Sequence, residues 1–403
     1  MRPVVHRCRF GPGERRLAYY QYLPVAVDGP CAGLTVQLRY DRRAAVIDLG
    51  LFGPDGFRGW SGGERERVTV GEVAATPGYL PGAIARGAWS VVLGLYRVPD
   101  QGVDVVVEAA CATDPLPPEP PPPPVPAARP PNRPPGRPGW RWVAGDLHAH
   151  SVHSDGKLTI DELAATARSQ GLDFLAVTDH NTVSHHPHLP AAGARYRITL
   201  LAGQEVTTDE GHANCLGDVG WVDFRGSADD WQQHATRAGG LLSINHPLLG
   251  DWSWRRPMRR APDLIEVWHR TWDGRDGGPL DWWRSRGAGT PVGGSDFHRP
   301  GELPPGFPTT WVEVESDGEE GPPAAAAVLD GLRAGRVAMA AGPQAPVAVR
   351  RDGELVVVGG AGLRLVRDGQ APVAVAADRV RMAQTPGLCR LERDDGEVVA
   401  LTP

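Results

Sequence analysis

The run Gly145-Asp146-Leu147-His148-Ala149-His150 sets two imidazoles one residue apart, and Asp155 follows five residues after the second. Side chains of an extended chain alternate between faces with period two, so on a strand His148 and His150 point the same way. Further groups follow in chain order: Thr178-Asp179-His180-Asn181, Gly203-Gln204-Glu205, Gly211-His212, Asn245-His246-Pro247 and Gly294-Ser295-Asp296-Phe297-His298. A carboxylate can bridge two cations, whereas a neutral imidazole donates one lone pair. Together they make the ligand set of a cluster of divalent metal ions, and metal-assisted hydrolysis is the chemistry it supports. Any one of these histidines alone is better explained as a hydrogen-bonded core residue; the ordered set is what points to metal. A closed structural zinc site fits poorly, because such sites prefer cysteine-rich tetrads.

The elements around these residues should place them together. From Trp140 onward the pattern alternates strand, loop and helix. Thr159-Ile160-Asp161-Glu162 has the form of a capping box ahead of an apolar helix that Gly171 stops. Apolar residues 172–177 lead to His180, and 198–202 to Glu205. Residues 241–244 lead to His246, 264–268 to His269, and 291–294 to Asp296 and His298. Residues 227–238 and 324–334 read as helices. Ligands recurring after strand C-termini are where an α/β barrel keeps its active site.

The flanking regions carry no catalytic pattern. Residues 1–113 read as all-β, with alternating runs at 34–40, 45–51, 67–70, 89–96 and 103–107 that suggest a small sandwich. Residues 114–139 are proline-rich and read as a semi-rigid linker. Residues 140–345 form the expected barrel, and 346–403 a short β-rich tail. A chain of 403 residues is expected to hold two or three domains.

A net charge of −6, without a long basic block, argues against a nucleic-acid-coating protein. Cys8, Cys31, Cys111, Cys215 and Cys389 are odd in number and form no CxxC, so free thiols in a reducing compartment are expected. The residues after Met1 lack a signal-peptide apolar run, and no stretch approaches the roughly 20 apolar residues of a membrane span. A soluble cytoplasmic protein acting on a small molecule is the expectation; the oligomeric state is not readable.

With these motifs the chain resembles the polymerase-and-histidinol-phosphatase (PHP) superfamily, and in overall pattern its branch named for carbaryl hydrolase. The resemblance spans about residues 145–342 and includes Thr309-Thr310-Trp311-Val312-Glu313-Val314 and Leu332-Arg333-Ala334-Gly335-Arg336. It implies a distorted (β/α)7 barrel with two or three ions of Mn, Zn or Fe type. It also implies roles: His148 and His150 on one ion with Asp296, Glu205 as bridging carboxylate, and His212 and His246 on the second ion. Asp155, His180 and His298 would hold a third.

Other residues stay open. Asp146 and Asp179, each beside a ligand histidine, either orient an imidazole or end a strand. Asn181 and Asn245 either orient a ligand or cap a loop, with the cap slightly favoured. His153, His185, His186, His188 and His234 read as loop or surface residues. His269 stands where the resembled branch often has asparagine, and is a ligand, a proton donor to the leaving group or a pocket wall. Arg255 and Arg259 could grip a phosphate bidentately, though a solvated loop cluster is the plainer reading. Trp268 could line an aromatic pocket or simply pack in the core. The expected function is metal-dependent hydrolysis, first of a phosphoester by a metal-bound hydroxide, with Glu205, Asp296 and His269 as the catalytic set. Carbamate, ester or amide hydrolysis on the same cluster is the alternative, and a non-catalytic metal-binding protein a third.

Overall fold

A computed structural model describes residues 3–112, 116–275, 277–316, 318, 321–383 and 386–403. The chain divides into two compact units. One comprises Met1–Pro121 with two short excursions, Val152–Asp155 and Asp179–His185; the other holds the remainder. The boundary expected between residues 113 and 114 lies outside the described residues.

The first unit contains two four-stranded antiparallel sheets. One orders Val4–Phe10, Val103–Cys111, Gly33–Arg39 and Arg67–Gly71; the other orders Tyr20–Val27, Gly87–Arg97, Val46–Gly53 and Gly56–Trp60. Leu34, Val36 and Leu38 alternate inward with Val25, Leu49, Val91 and Leu93 in one core. Three of these strands escape the sequence reading. Val4–Phe10 carries His6 among its inward positions and Arg7 and Arg9 at outward ones, and Tyr20–Val27 contains Pro24, tolerated because that strand lies at a sheet edge. Gly56–Trp60 is short and glycine-bearing.

The expectation of five free thiols is corrected. Cys31 and Cys111 form a disulfide, while Cys8, Cys215 and Cys389 are free. Strand pairing sets Leu34 opposite Cys111 and so brings Cys31 within reach, a proximity that spacing along the chain does not reveal.

The second unit is built on a long mixed sheet. Eight of its strands run in the order Thr290–Gly294, Leu264–His269, Leu241–Ile244, Gly211–Leu216, Thr199–Thr208, Phe174–Val177, Trp140–Asp146 and Thr309–Glu315. The two ends of this run come back together: Thr310 Oγ1 accepts from the Gly293 amide (2.8 Å) and donates to the Gly293 carbonyl (2.9 Å). Helix Ile160–Gln170 starts at the expected capping box, with Glu162 accepting from the Thr159 amide at 2.8 Å, and stops at left-handed Gly171. Ala228–Arg237 and Ala325–Arg333 match the other two expected helices. Leu189–Tyr196 and Gly278–Arg286 do not appear in the sequence reading, where proline near each start hides a helix that proline in fact opens.

Residues 122–139 are laid along this unit instead of spanning free space. The Asn132 amide donates to Pro343 O (2.7 Å), Tyr196 Oη to Pro123 O (2.8 Å), and Arg137 pairs with Glu313 (2.8 Å). The tail continues the sheet, since Val398–Thr402 pairs with Val337–Ala340. A further sheet of Val347–Arg351, Glu354–Val358 and Arg379–Ala383 completes the unit.

Candidate metal centre

Most of the expected ligands collect at the C-terminal ends of the parallel strands. Trp140–Asp146 ends at a buried carboxylate that organises backbone. Asp146 accepts from the amides of His148 (3.1 Å), Ser295 (3.0 Å) and Gly306 (2.7 Å). His148 and His150 lie just past that strand, in extended chain held by the His150 amide on Phe297 O (2.9 Å). Glu205 does not end its strand, as the sequence reading has it. Thr199–Thr208 runs on and turns into antiparallel Gly211–Leu216, with Glu205 opposite Asn214 and Thr207 opposite His212. Period-two alternation then puts Glu205 and His212 on one face. His246 (φ 25°) and Asp296 (φ 50°) adopt left-handed backbone, a strain typical of functional loops.

Glu205 is fully buried at the middle of the cluster. Its Oε1 lies 3.2 Å from His148 Nε2, 3.3 Å from His212 Nδ1 and 3.4 Å from His246 Nε2, and its Oε2 lies 3.5 Å from His150 Nε2. Asp296 Oδ1 lies 3.0 Å from His150 Nε2 and 3.2 Å from His148 Nε2. Asp296 Oδ2 lies 3.2 Å from His269 Nε2. His298 stacks on His150 with ring centres 4.2 Å apart.

Two donors held about 2.1 Å from one cation at tetrahedral or octahedral angles stand roughly 3.0–3.4 Å apart. The spacings above fall at that value. His148 Nε2 adds a sharper test: it is buried, close to two carboxylates, and has no hydrogen-bond partner. Its other nitrogen, Nδ1, is 2.8 Å from Glu266, which leaves the Nε2 lone pair aimed into the cluster. Imidazole and carboxylate donors of this kind suit Zn, Mn or Fe. His148, His150 and Asp296 could hold one ion, and His148, Glu205 and His246 could hold another.

The electrostatics of the cluster are those of packed opposite charges. Burial pulls the His148 imidazole towards the neutral form, but Glu205, Asp296 and Glu266 hold its pKa well above the usual value. Burial pushes Asp296 up, yet His148, His150, His269 and His298 hold it well below the usual carboxylate range. Burial lowers His246, and Glu205 more than compensates. Asp146 is raised by burial against the hydrogen bonds it accepts.

Two contributors are missing from the sequence reading, and a third is placed differently from its leaning. Glu266 accepts from the His246 amide (3.2 Å) as well as holding His148; a lone glutamate inside an apolar strand is the signal that could have found it. Gly294 is required by that contact, because a Cβ there would sit 2.5 Å from Glu266 Oε2 and 2.7 Å from His148 Cβ. Asn245 is not a loop cap: its Nδ2 donates to Glu205 Oε1 at 2.8 Å.

The other residues of the sequence reading have their own surroundings. Asp155 and His180 belong to the first unit, 3.5 Å from each other. His185 is no surface residue; it is fully buried with Nδ1 3.2 Å from Asp179, and His153 is buried against Ser184 Oγ at 2.8 Å. Asp179 also accepts from Ser154 Oγ at 2.6 Å. His234 bonds Val219 O at 2.8 Å. Arg259 pairs with Asp229 at 2.9 Å on the surface, and Arg255 bonds the carbonyls of Asp251 and Asp209. Trp268 is buried among Ile265, Val267 and Leu280 and meets Trp272 edge-on at 5.0 Å.

Residues 146–247 match the PHP domain family, in agreement with the superfamily expected from the motifs. Over 64 residues the chain is 39% identical to a 5'-3' exoribonuclease of Haemophilus influenzae, covering 16% of this chain and 23% of that protein. Over 66 residues it is 41% identical to a 3',5'-nucleoside bisphosphate phosphatase of Chromobacterium violaceum, again 16% and 23%. The chain thus spans about a quarter of the length of these curated relatives. A solved two-domain protein of Bacteroides vulgatus, named as containing a predicted PHP-like metal-dependent phosphoesterase, is 18% identical with a TM-score of 0.42, covering 68% of this chain and 91% of that one. Among the described residues, no helix is long and apolar enough to cross a membrane.

Proposed function

We propose that this chain is a metal-dependent hydrolase of phosphoesters, built as a distorted (β/α)7 PHP barrel. The observation that carries the reading is Glu205: a fully buried carboxylate with four imidazole nitrogens within 3.5 Å. His148, His150 and Asp296 would hold one ion, and Glu205, His212 and His246 would hold a second. Asp155, His180 and His298 are assigned to a third by resemblance. When bound, the ions supply Lewis acidity that activates water and neutralises charge on the phosphoryl oxygens.

The chain's own residues do the positioning. Glu266 fixes the tautomer of His148, and Asn245 fixes one oxygen of Glu205. His269 has Nδ1 2.7 Å from Thr271 Oγ1 and Nε2 facing Asp296, so Nε2 is where a proton for the leaving group is held. Both relatives identified above are named for phosphoester cleavage, which favours this reaction over its alternative. Carbamate or ester hydrolysis keeps one argument: Arg255 and Arg259, the candidate phosphate grip, are engaged elsewhere.

The test is turnover of the Mn- or Zn-reconstituted chain on phosphomonoesters, nucleoside bisphosphates, short RNA, carbamates and aryl esters. Phosphoester turnover that chelator abolishes and inorganic phosphate inhibits competitively is expected. Carbamate or ester turnover far above every phosphoester, indifferent to phosphate, overturns the first reading in favour of the second.

A further inference from the structure

The loop after strand Thr290–Gly294 carries two of the proposed ligands, Asp296 and His298. Asp296 sits at φ 50°, in the left-handed region. A residue other than glycine stays there only where its surroundings over-determine it. The contacts of its carboxylate with imidazoles do not fix the peptide units on either side. The loop's own carbonyls and amides need partners as well.

Arg270 and Glu302 supply them. Arg270 directly follows strand Leu264–His269, which runs parallel to Thr290–Gly294 with His269 opposite Gly294. Its Nη1 donates to the carbonyl of Asp296, to that of Ser295 (3.3 Å) and to Glu302 Oε2 (3.0 Å). Glu302 Oε2 accepts in turn from the amides of His298 (3.0 Å) and Arg299 (3.3 Å). The cation takes the loop's carbonyls and the anion takes its amides, and neither can do the other's part. The Asp296 carbonyl also lies 2.8 Å from His298 Nδ1. A carbonyl only accepts, so Nδ1 carries the proton and Nε2 keeps the lone pair that a cation needs. One carbonyl therefore anchors both the backbone of Asp296 and the ring of His298.

This is not an ordinary surface pair. Arg299 also meets Glu302, at 3.3 Å and three residues apart, but its side chain is 66% exposed, and such pairs contribute little. The side chains of Arg270 and Glu302 are only 20% and 19% exposed, and Arg270 comes from the loop of a different strand. Charge-assisted bonds shielded in this way are the strong ones.

We propose that Arg270 and Glu302 act as one positioning unit of the metal centre, holding Asp296 in its left-handed conformation and His298 with Nε2 presented. The inference rests on the reading of Asp296 and His298 as metal ligands, and it names what keeps them in place. Neither Arg270 nor Glu302 binds an ion in this role.

The experiment is calorimetric titration of the metal-stripped full chain with zinc and, separately, manganese. Elemental analysis counts the bound metal, and the melting temperature of the metal-free chain is recorded alongside. Arg270→Met and Glu302→Gln should each weaken metal binding by about 10–100-fold, the usual scale for a lost orienting group. Arg270→Lys, which keeps the charge, should recover part of the affinity. The double variant should bind no more weakly than the weaker single one, because the two residues act as a unit. Arg299→Met, which breaks only the exposed pair, should bind metal as the wild type does. Wild-type affinity in Arg270→Met and Glu302→Gln overturns the proposal. So does a loss that follows the metal-free melting temperature and that Arg270→Lys does not relieve, since the pair would then be a plain stabiliser. If Arg270→Met does not fold, Glu302→Gln and Arg270→Lys decide by the same criteria. A wild-type chain that takes up neither metal sinks the hydrolytic reading and this inference together, whereas a metal-loaded wild type with indifferent variants sinks the inference only.

Discussion

Glu205 is where the cluster is most sensitive to a single atom. An amide in its place offers one neutral acceptor oxygen and two N–H donors facing imidazoles, so Glu205→Gln should lose metal and turnover together. At least a thousandfold fall in kcat is expected, about 4 kcal/mol in barrier. His234→Ala, which breaks only a bond to Val219 O, should change neither. Elemental analysis and steady-state kinetics on both variants check the contrast. Gly294→Ala tests the support beneath the ligands: its methyl would displace Glu266 or His148, and metal affinity should fall by about 10–100-fold, the usual scale for a lost orienting carboxylate. Protons give a third readout. The carboxylates of Glu205, Asp296 and Glu266 outweigh burial and hold the His148 pKa well above the usual imidazole value, which favours its protonated form. A metal ligand must be neutral, so loading should release protons, and affinity should fall as pH falls. Titration in two buffers of different ionisation enthalpy measures that release; an affinity flat between pH 6 and 8 contradicts it.

At the scale of elements, the two excursions of chain that join the first unit are the most informative feature. Arg65 donates to the carbonyls of Ser154 (2.9 Å) and Val152 (2.5 Å). Gly78 donates its amide to Ser184 Oγ (3.0 Å) and accepts from Thr182 Oγ1 (2.8 Å). Gly78 has φ +98°, and a Cβ there would lie 2.8 Å from His153 O and from Trp60 O. The β-sandwich therefore holds the segments that carry Asp155 and His180. Arg65→Ala should remove the metal equivalent that depends on that pair while sparing the ions on Glu205 and Asp296. Metal stoichiometry decides this, and a full complement in Arg65→Ala would mean that the sandwich does not position the pair.

For the whole molecule, the Cys31–Cys111 bond closes a loop with a sequence separation of 80. Constraining an unfolded loop of that length stabilises by up to about 4.5 kcal/mol on the chain-entropy account. Reductant, or Cys31→Ala with Cys111→Ala, should lower the melting temperature of the sandwich by on the order of 10 °C or more. Thiol titration of the unfolded, unreduced chain should find the three remaining cysteines. Five reactive thiols and an unchanged melting curve under reductant would mean the bond does not form.

The candidate donors of this chain were legible in the sequence because donor identity is a matter of residue type and order. His148-Ala149-His150, Glu205, His246 and Asp296 offer metal-ligating atoms wherever the backbone takes them, and the capping box at Thr159 announces its helix by local geometry alone. Only the tertiary structure could show what depends on distant chain segments meeting. Glu266 is a carboxylate in an apolar strand until the sheet sets it against His148, and Asn245 a loop residue until it reaches Glu205. Cys31 and Cys111 are unrelated until two strands pair. Arg255 and Arg259 look like a phosphate grip until Asp229 and the Asp209 carbonyl engage them. The division follows from range: capping and alternation act within a few residues, whereas second partners, disulfides and charge compensation are settled by contacts between elements far apart in sequence.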